Sequence, residues 1–158
     1  KLAVESGLSI ENAMYAGITL NLGAVFGSLT LGFLSMRFGL KRIISCFFFF
    51  GSPIIVAYGN LDVSVFIVLI LIFFLMYFVQ GGFAGLYAVA ARLYPTEIRT
   101  TGVGWAIGAG RIGAIIGPAA AGFILGAGVS IGWTFVIFAV PMLVAGAAIS
   151  ALSDRDLK

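Results

Sequence analysis

Arg111 stands inside the apolar run 101–126, which contains no acidic residue. A guanidinium is permanently charged and carries five donors in a fixed fork, which suits it to holding a carboxylate. If the run is a helix crossing a bilayer, Arg111 lies about ten residues, or roughly 15 Å, past its start. There an arginine costs about 2.5–3.5 kcal/mol on the insertion scale and must face protein, water or an anion. Gly104, Gly108, Ile115, Pro118 and Gly122 share its face at helical spacing. Two roles fit: an anion-binding arginine, or a structural one satisfied by backbone carbonyls or by an acid elsewhere.

Two other runs carry polar groups on one face. In 65–91, Tyr77, Gln80, Ala84 and Tyr87 align, with Gly81, Gly82 and Gly85 beside them. Hydroxyls and an amide at membrane depth suit a pocket that orients a small ligand. The glycines permit a bend; an internally bonded packing face fits equally. In 13–35, Gly17, Asn21, Ala24, Ser28 and Gly32 recur at helical spacing. That stripe reads as a close helix–helix seam or as a cavity face presenting Asn21. Enzymatic chemistry lacks its parts. The chain has no His, one Cys (Cys46, a small apolar residue in its setting) and no acid within any apolar run. No nucleophile–base pair, metal cluster or paired carboxylate can be assembled from these. No phosphate-binding Gly-Lys-Ser/Thr loop is present either, so neither an enzyme nor a bound cofactor is expected.

The elements that position these residues follow from composition. Of 158 residues 61% are hydrophobic and 9% charged, against about 25% charged in an ordinary soluble domain. Fifteen charges cannot cover a soluble domain of this size, so lipid must cover the rest. Five runs are long enough to span about 30 Å of hydrocarbon: 13–35, 43–59, 65–91, 101–126 and 131–152. They are continuous, without the alternation of barrel strands, which predicts an all-α membrane protein. The second and fifth, nearly without polar faces, read as lipid-facing scaffold that Pro53 and Pro141 can kink. The basic residues sit in short clusters between runs rather than in a stripe, which excludes nucleic-acid binding. Seven of the nine cations fall on one side: Arg37, Lys41, Arg42, Arg92, Arg99, Arg155 and Lys158. The positive-inside rule makes that side cytoplasmic, with residue 1 outside and the C-terminus inside. The opening KLAVESGLSIEN has neither an initiator Met nor a signal-peptide pattern, so the sequence reads as a stretch of a longer protein.

Two loop patterns add a resemblance. Gly32-Phe33-Leu34-Ser35-Met36-Arg37-Phe38-Gly39-Leu40-Lys41-Arg42 resembles the major facilitator loop G-x-x-x-D-R-x-G-R-R. Gly32, Arg37 and Gly39 match and Lys41 is a basic substitute, whereas Met36 stands where the pattern has Asp and Leu40 where it has Arg. Leu93-Tyr94-Pro95-Thr96-Glu97-Ile98-Arg99-Thr100-Thr101-Gly102 through Arg111 to Pro118 resembles the loop and helix of the aromatic acid:proton symporters, the branch of 4-hydroxybenzoate and benzoate carriers. Sugar porters and sialic acid carriers share parts of the pattern.

The resemblance implies spans eight to twelve of a twelve-span transporter: five helices of its C-terminal six-helix bundle, working by alternating access around a midplane site. It implies a bacterial inner-membrane carrier with a small organic anion and protons as partners. The proton-coupling acids then belong to the N-terminal half, which the sequence lacks. Within it Arg111 would hold the carboxylate, while Asn21, Tyr77, Gln80 and Tyr87 would orient the ring. Gly32, Arg37, Gly39, Lys41, Arg42, Glu97 and Arg99 would belong to cytoplasmic gating, or serve as topology signals with a helix start at Thr100/Thr101. A channel or structural membrane subunit is the alternative class.

Overall fold

The computed structural model describes residues 10–61 and 63–152. The tail cations Arg155 and Lys158, which entered the charge argument, lie outside the described residues. Five helices follow one another: α1 (Ile10–Phe38), α2 (Leu40–Asn60), α3 (Val65–Leu93), α4 (Arg99–Gly126) and α5 (Ile131–Ala151). All five are long and apolar enough to cross a membrane. The 29 residues of α1 and of α3 extend about 44 Å, well beyond the hydrocarbon thickness.

The joints are tighter than the sequence implies. The expected loop 36–42 contracts to Gly39, whose φ of 89° places it in the left-handed region that glycine enters without penalty. Lys41 and Arg42 therefore belong to the first turn of α2. Between α4 and α5 the chain turns at Gly128 (φ 84°). Gly128 N–H donates to Leu125 O at 3.0 Å and Val129 N–H to Ile124 O at 3.3 Å, a Schellman closure of the helix end. Ser130 then caps α5 by accepting from Trp133 N–H.

Close approach between helices rests on glycines that receive a neighbour. A methyl added to Gly23 or Gly27 of α1 would overlap the carbonyl oxygens of Phe73 or Tyr77 in α3. The α1–α3 seam therefore runs through Gly23, Gly27 and Leu31. The expected stripe lies on another face: Gly17 and Gly32 look onto open space. On α3, Gly81, Gly82 and Gly85 are buried and take up Phe47, Phe48 and Ile44 of α2. The glycines do not interrupt the helix, which runs unbroken from Val65 to Leu93.

The reading of α2 and α5 as featureless scaffold is corrected for α2. It supplies most of the core, with Leu40, Ile43, Ile44, Phe47 and Phe48 buried around Leu31, Val89 and Ile149. Hydrophobicity alone misleads here, because a residue that meets lipid is as apolar as one that meets a helix. The helices pack in the order α1, α3, α2, α5, with α4 touching only α3 and α5. Both ends of the α2–α5 pair are tied. Lys41 Nζ donates to Leu152 O, and Asn60 Nδ2 to Gly132 O at 3.3 Å.

Gly27→Leu is expected to destabilise the folded protein by about 1–3 kcal/mol, the usual range for overpacking, whereas Gly17→Leu should be near neutral. Melting of the purified protein in detergent measures both; equal effects would show that the seam is misplaced.

Candidate functional site

α3 and α4 form a hairpin whose joint sets the depth of everything on both helices. Tyr94 ends α3, because the residue before Pro95 is pushed out of helical geometry; its φ and ψ are −99° and 135°. A turn follows, with Ile98 N–H donating to Pro95 O at 3.2 Å, and Gly102 N–H returning to Ile98 O at 2.8 Å. The Tyr94 ring lies over Gly102, where any side chain would collide with it. Arg99 Nε reaches Tyr94 O at 3.4 Å. α4 begins at Arg99 with Ile98 at the cap position, so the expected start at Thr100/Thr101 is one to two residues late and neither threonine caps the helix.

Counted from this shared joint, Arg111 lies 12 residues into α4 and Gln80 lies 13 residues back from the end of α3. At 1.5 Å per residue these depths are about 18 Å and about 20 Å. By this count residues 80 and 111 lie at similar depths, near the middle of their helices. No residue of α4 is buried, and among the described residues Arg111 has no hydrogen-bond or ion-pair partner.

The remaining candidates divide. Asn21 is exposed on α1 and donates through Nδ2 to Gly17 O at 2.8 Å; with Met14, Gly17, Ile18, Leu22 and Val25 it lines a shallow hollow of about 480 Å³. A second hollow of about 550 Å³ runs along α4 past Gly104, Trp105, Gly108 and Ile112, and neither hollow joins Asn21 to Arg111. Tyr77 is engaged in packing. Its ring stacks on Phe47 at 5.5 Å and meets Phe78 edge-on at 5.1 Å. Gln80 is half-buried, and Tyr87 is exposed and meets Phe83 edge-on at 5.3 Å. Phe83 lies between Gln80 and Tyr87 on their face and was not singled out from the sequence. Its spacing, three after Gln80 and four before Tyr87, was the available signal.

The basic end is built from several joints. Arg37 lies 5.6 Å from the Phe38 ring centroid, within cation–π range. Lys41 closes the α5 terminus, where a cation complements the helix dipole, while Arg42 and Glu97 are exposed.

The Major Facilitator Superfamily model matches residues 1–156, and the chain belongs to that superfamily; it is an integral membrane protein. It is 31% identical to the gallate transporter of Pseudomonas putida (98% of this chain, 34% of the relative). It is 28% identical to the benzoate transport protein of Acinetobacter baylyi (99% and 34%), and 30% identical to the 4-hydroxybenzoate transporter PcaK of Pseudomonas putida (90% and 31%). The chain spans about a third of the length of these relatives. No solved structure matches it.

Gly102→Leu should lower the melting temperature by displacing the Tyr94 ring, at about 1–3 kcal/mol. In a Tyr94→Ala background the same change should cost much less, and a double-mutant cycle reads the difference. Additive effects would show that ring and glycine are not coupled.

Proposed function

We propose that this chain is spans eight to twelve of a twelve-span secondary carrier that takes up a small aromatic carboxylate with protons by alternating access. The observation that carries the reading is Arg111: a guanidinium near the middle of α4, level with Gln80 and without a described partner. The printed substrates of the relatives supply the class, since gallate, benzoate and 4-hydroxybenzoate are all aromatic carboxylates.

In this reading Arg111 holds the carboxylate through a bidentate, charge-assisted pair. Gln80, Tyr87 and Asn21 orient the ring and its substituents, and Tyr77 holds α3 against α2. The spans contain no acid, so the proton-carrying groups belong to the remainder of the carrier, which also covers the open faces of α1 and α4. The protein is then a transporter without enzymatic activity, in a bacterial inner membrane. The end bearing Arg37, Lys41, Arg42, Arg92 and Arg99 is cytoplasmic by the positive-inside rule. A carrier for a neutral sugar would leave Arg111 no obligatory role, whereas sialic acid, itself a carboxylate, would use the arginine but lacks the aromatic ring; a channel would show no saturable accumulation.

In the full-length carrier, Arg111→Lys keeps the charge but loses the fork. It should weaken apparent affinity for benzoate about ten- to a hundred-fold, the scale of a lost hydrogen bond to a charged group. Arg111→Ala should abolish accumulation while the melting temperature holds or rises. Normal benzoate binding by Arg111→Ala, measured by calorimetry alongside a lowered melting temperature, would make the arginine structural.

Orientation is tested separately with an impermeant thiol reagent on single-cysteine variants in intact cells. Position 60 should label from outside, and positions 41 and 99 should not. External labelling at 41 would reverse the topology.

A further inference from the structure

At about 100° per residue, Gln80, Phe83 and Tyr87 occupy an arc of roughly 60° on α3. That arc lies on the opposite side of the helix from Gly81, Gly82 and Gly85. Those glycines hold α3 against Phe47, Phe48 and Ile44 of α2, so the rotation of α3 is set by packing and the opposite arc is turned away from α2. Phe83 and Tyr87 each remain 40% exposed, and their rings are perpendicular, 88° apart with centroids at 5.3 Å.

An apolar ring on such a face could simply meet lipid. Two neighbours argue otherwise. Gln80 places an amide about 20 Å from either end of α3, a depth at which hydrocarbon gives it no partner. One to two turns on, Tyr87 presents a phenol on the same arc. A face that is polar above and below Phe83 is a face meant for water or for a ligand. Counted from the α3–α4 joint, Phe83 lies about 15 Å deep and Arg111 about 18 Å, a separation along the membrane normal comparable to the span from a carboxylate carbon to the centre of its ring.

We propose that Phe83 is a specificity-determining residue: with Tyr87 it forms the aromatic wall that admits a flat ring while Arg111 holds the carboxylate. The inference rests on the proposed function and extends it from the charge to the ring. The perpendicular Phe83–Tyr87 pair offers one ring face and one ring edge, the two surfaces to which an aromatic ring binds by stacking or edge-on contact. A puckered aliphatic ring of the same charge gains neither.

The test compares uptake of benzoate and cyclohexanecarboxylate by the full-length carrier reconstituted in liposomes. Phe83→Leu should cut the preference for benzoate about three- to ten-fold, the scale of a lost aromatic pair, while uptake of cyclohexanecarboxylate persists. Phe83→Tyr should keep the wild-type preference, which a merely apolar filler would not require. If Phe83→Leu fails to reach the membrane, Phe83→Met carries the same comparison. An unchanged preference in the leucine or methionine variant overturns the role of Phe83 and leaves the carrier reading intact. Wild-type protein that takes up neither acid overturns the carrier reading and this inference with it.

Discussion

The structure depends on how closely one helix can approach another where solvent gives no reason for them to meet. In lipid the apolar faces of two helices gain little by leaving the hydrocarbon, so association rests on van der Waals fit. Here the fit is a large group seated over a glycine. Phe47, Phe48 and Ile44 sit on the α3 glycines, and Met142 and Phe135 of α5 sit on Gly51 and Gly59 of α2. At the α1–α3 crossing the backbones themselves meet, with Gly27 against Tyr77 O and Gly81 facing Gly27 O. Dispersion is short-ranged, so a contact loosened by half an ångström or more forfeits much of its energy. The four packed helices are therefore a frame in which rotation and depth are set by these few seats.

α4 is positioned differently. It has no buried residue and is fixed chiefly at its two ends, by the Tyr94–Gly102 contact and by the turn at Gly128. Its glycines at 104 and 108, with Ile112, repeat the spacing of Gly23, Gly27 and Leu31. In α1 that face is filled by α3, whereas the Gly104 and Gly108 positions look onto open space.

The five spans were legible because hydrocarbon thickness dictates both their length and their apolarity. Joint lengths were not, since three polar or basic residues read as loop whether or not they lie in a first helical turn, as Lys41 and Arg42 do. The α1 seam was misread because that helix carries two small-residue stripes, and only the backbone path of α3 selects the one through Gly23 and Gly27. The core role of α2 was invisible for a related reason: Phe47, which fills a glycine seat, and Phe50, which is 62% exposed, are the same residue three positions apart. As a candidate Arg111 stands out in the sequence by its cost alone, whereas the spacing of Phe83, one phenylalanine among 15, stands out only beside the packed side of α3.

The placement of the guanidinium follows from the same physics as the frame. A charge set into the α1–α3–α2–α5 core would need a bonded partner, and a buried pair recovers its desolvation cost only with excellent geometry. The seats in that core are filled by apolar side chains or by backbone carbonyls pressed against glycine, and the buried polar side chains are the neutral Ser45, Ser52 and Thr134, so no carboxylate is there to pair with it. A charge on α4 displaces none of these contacts, and its compensation is left open to water or to an anion that comes and goes. The helix least committed to packing is thus the one on which a mid-depth charge does least damage to stability. The hairpin joint at 94–98 still holds that charge level with the polar arc of α3, so its depth is set by covalent reach rather than by burial.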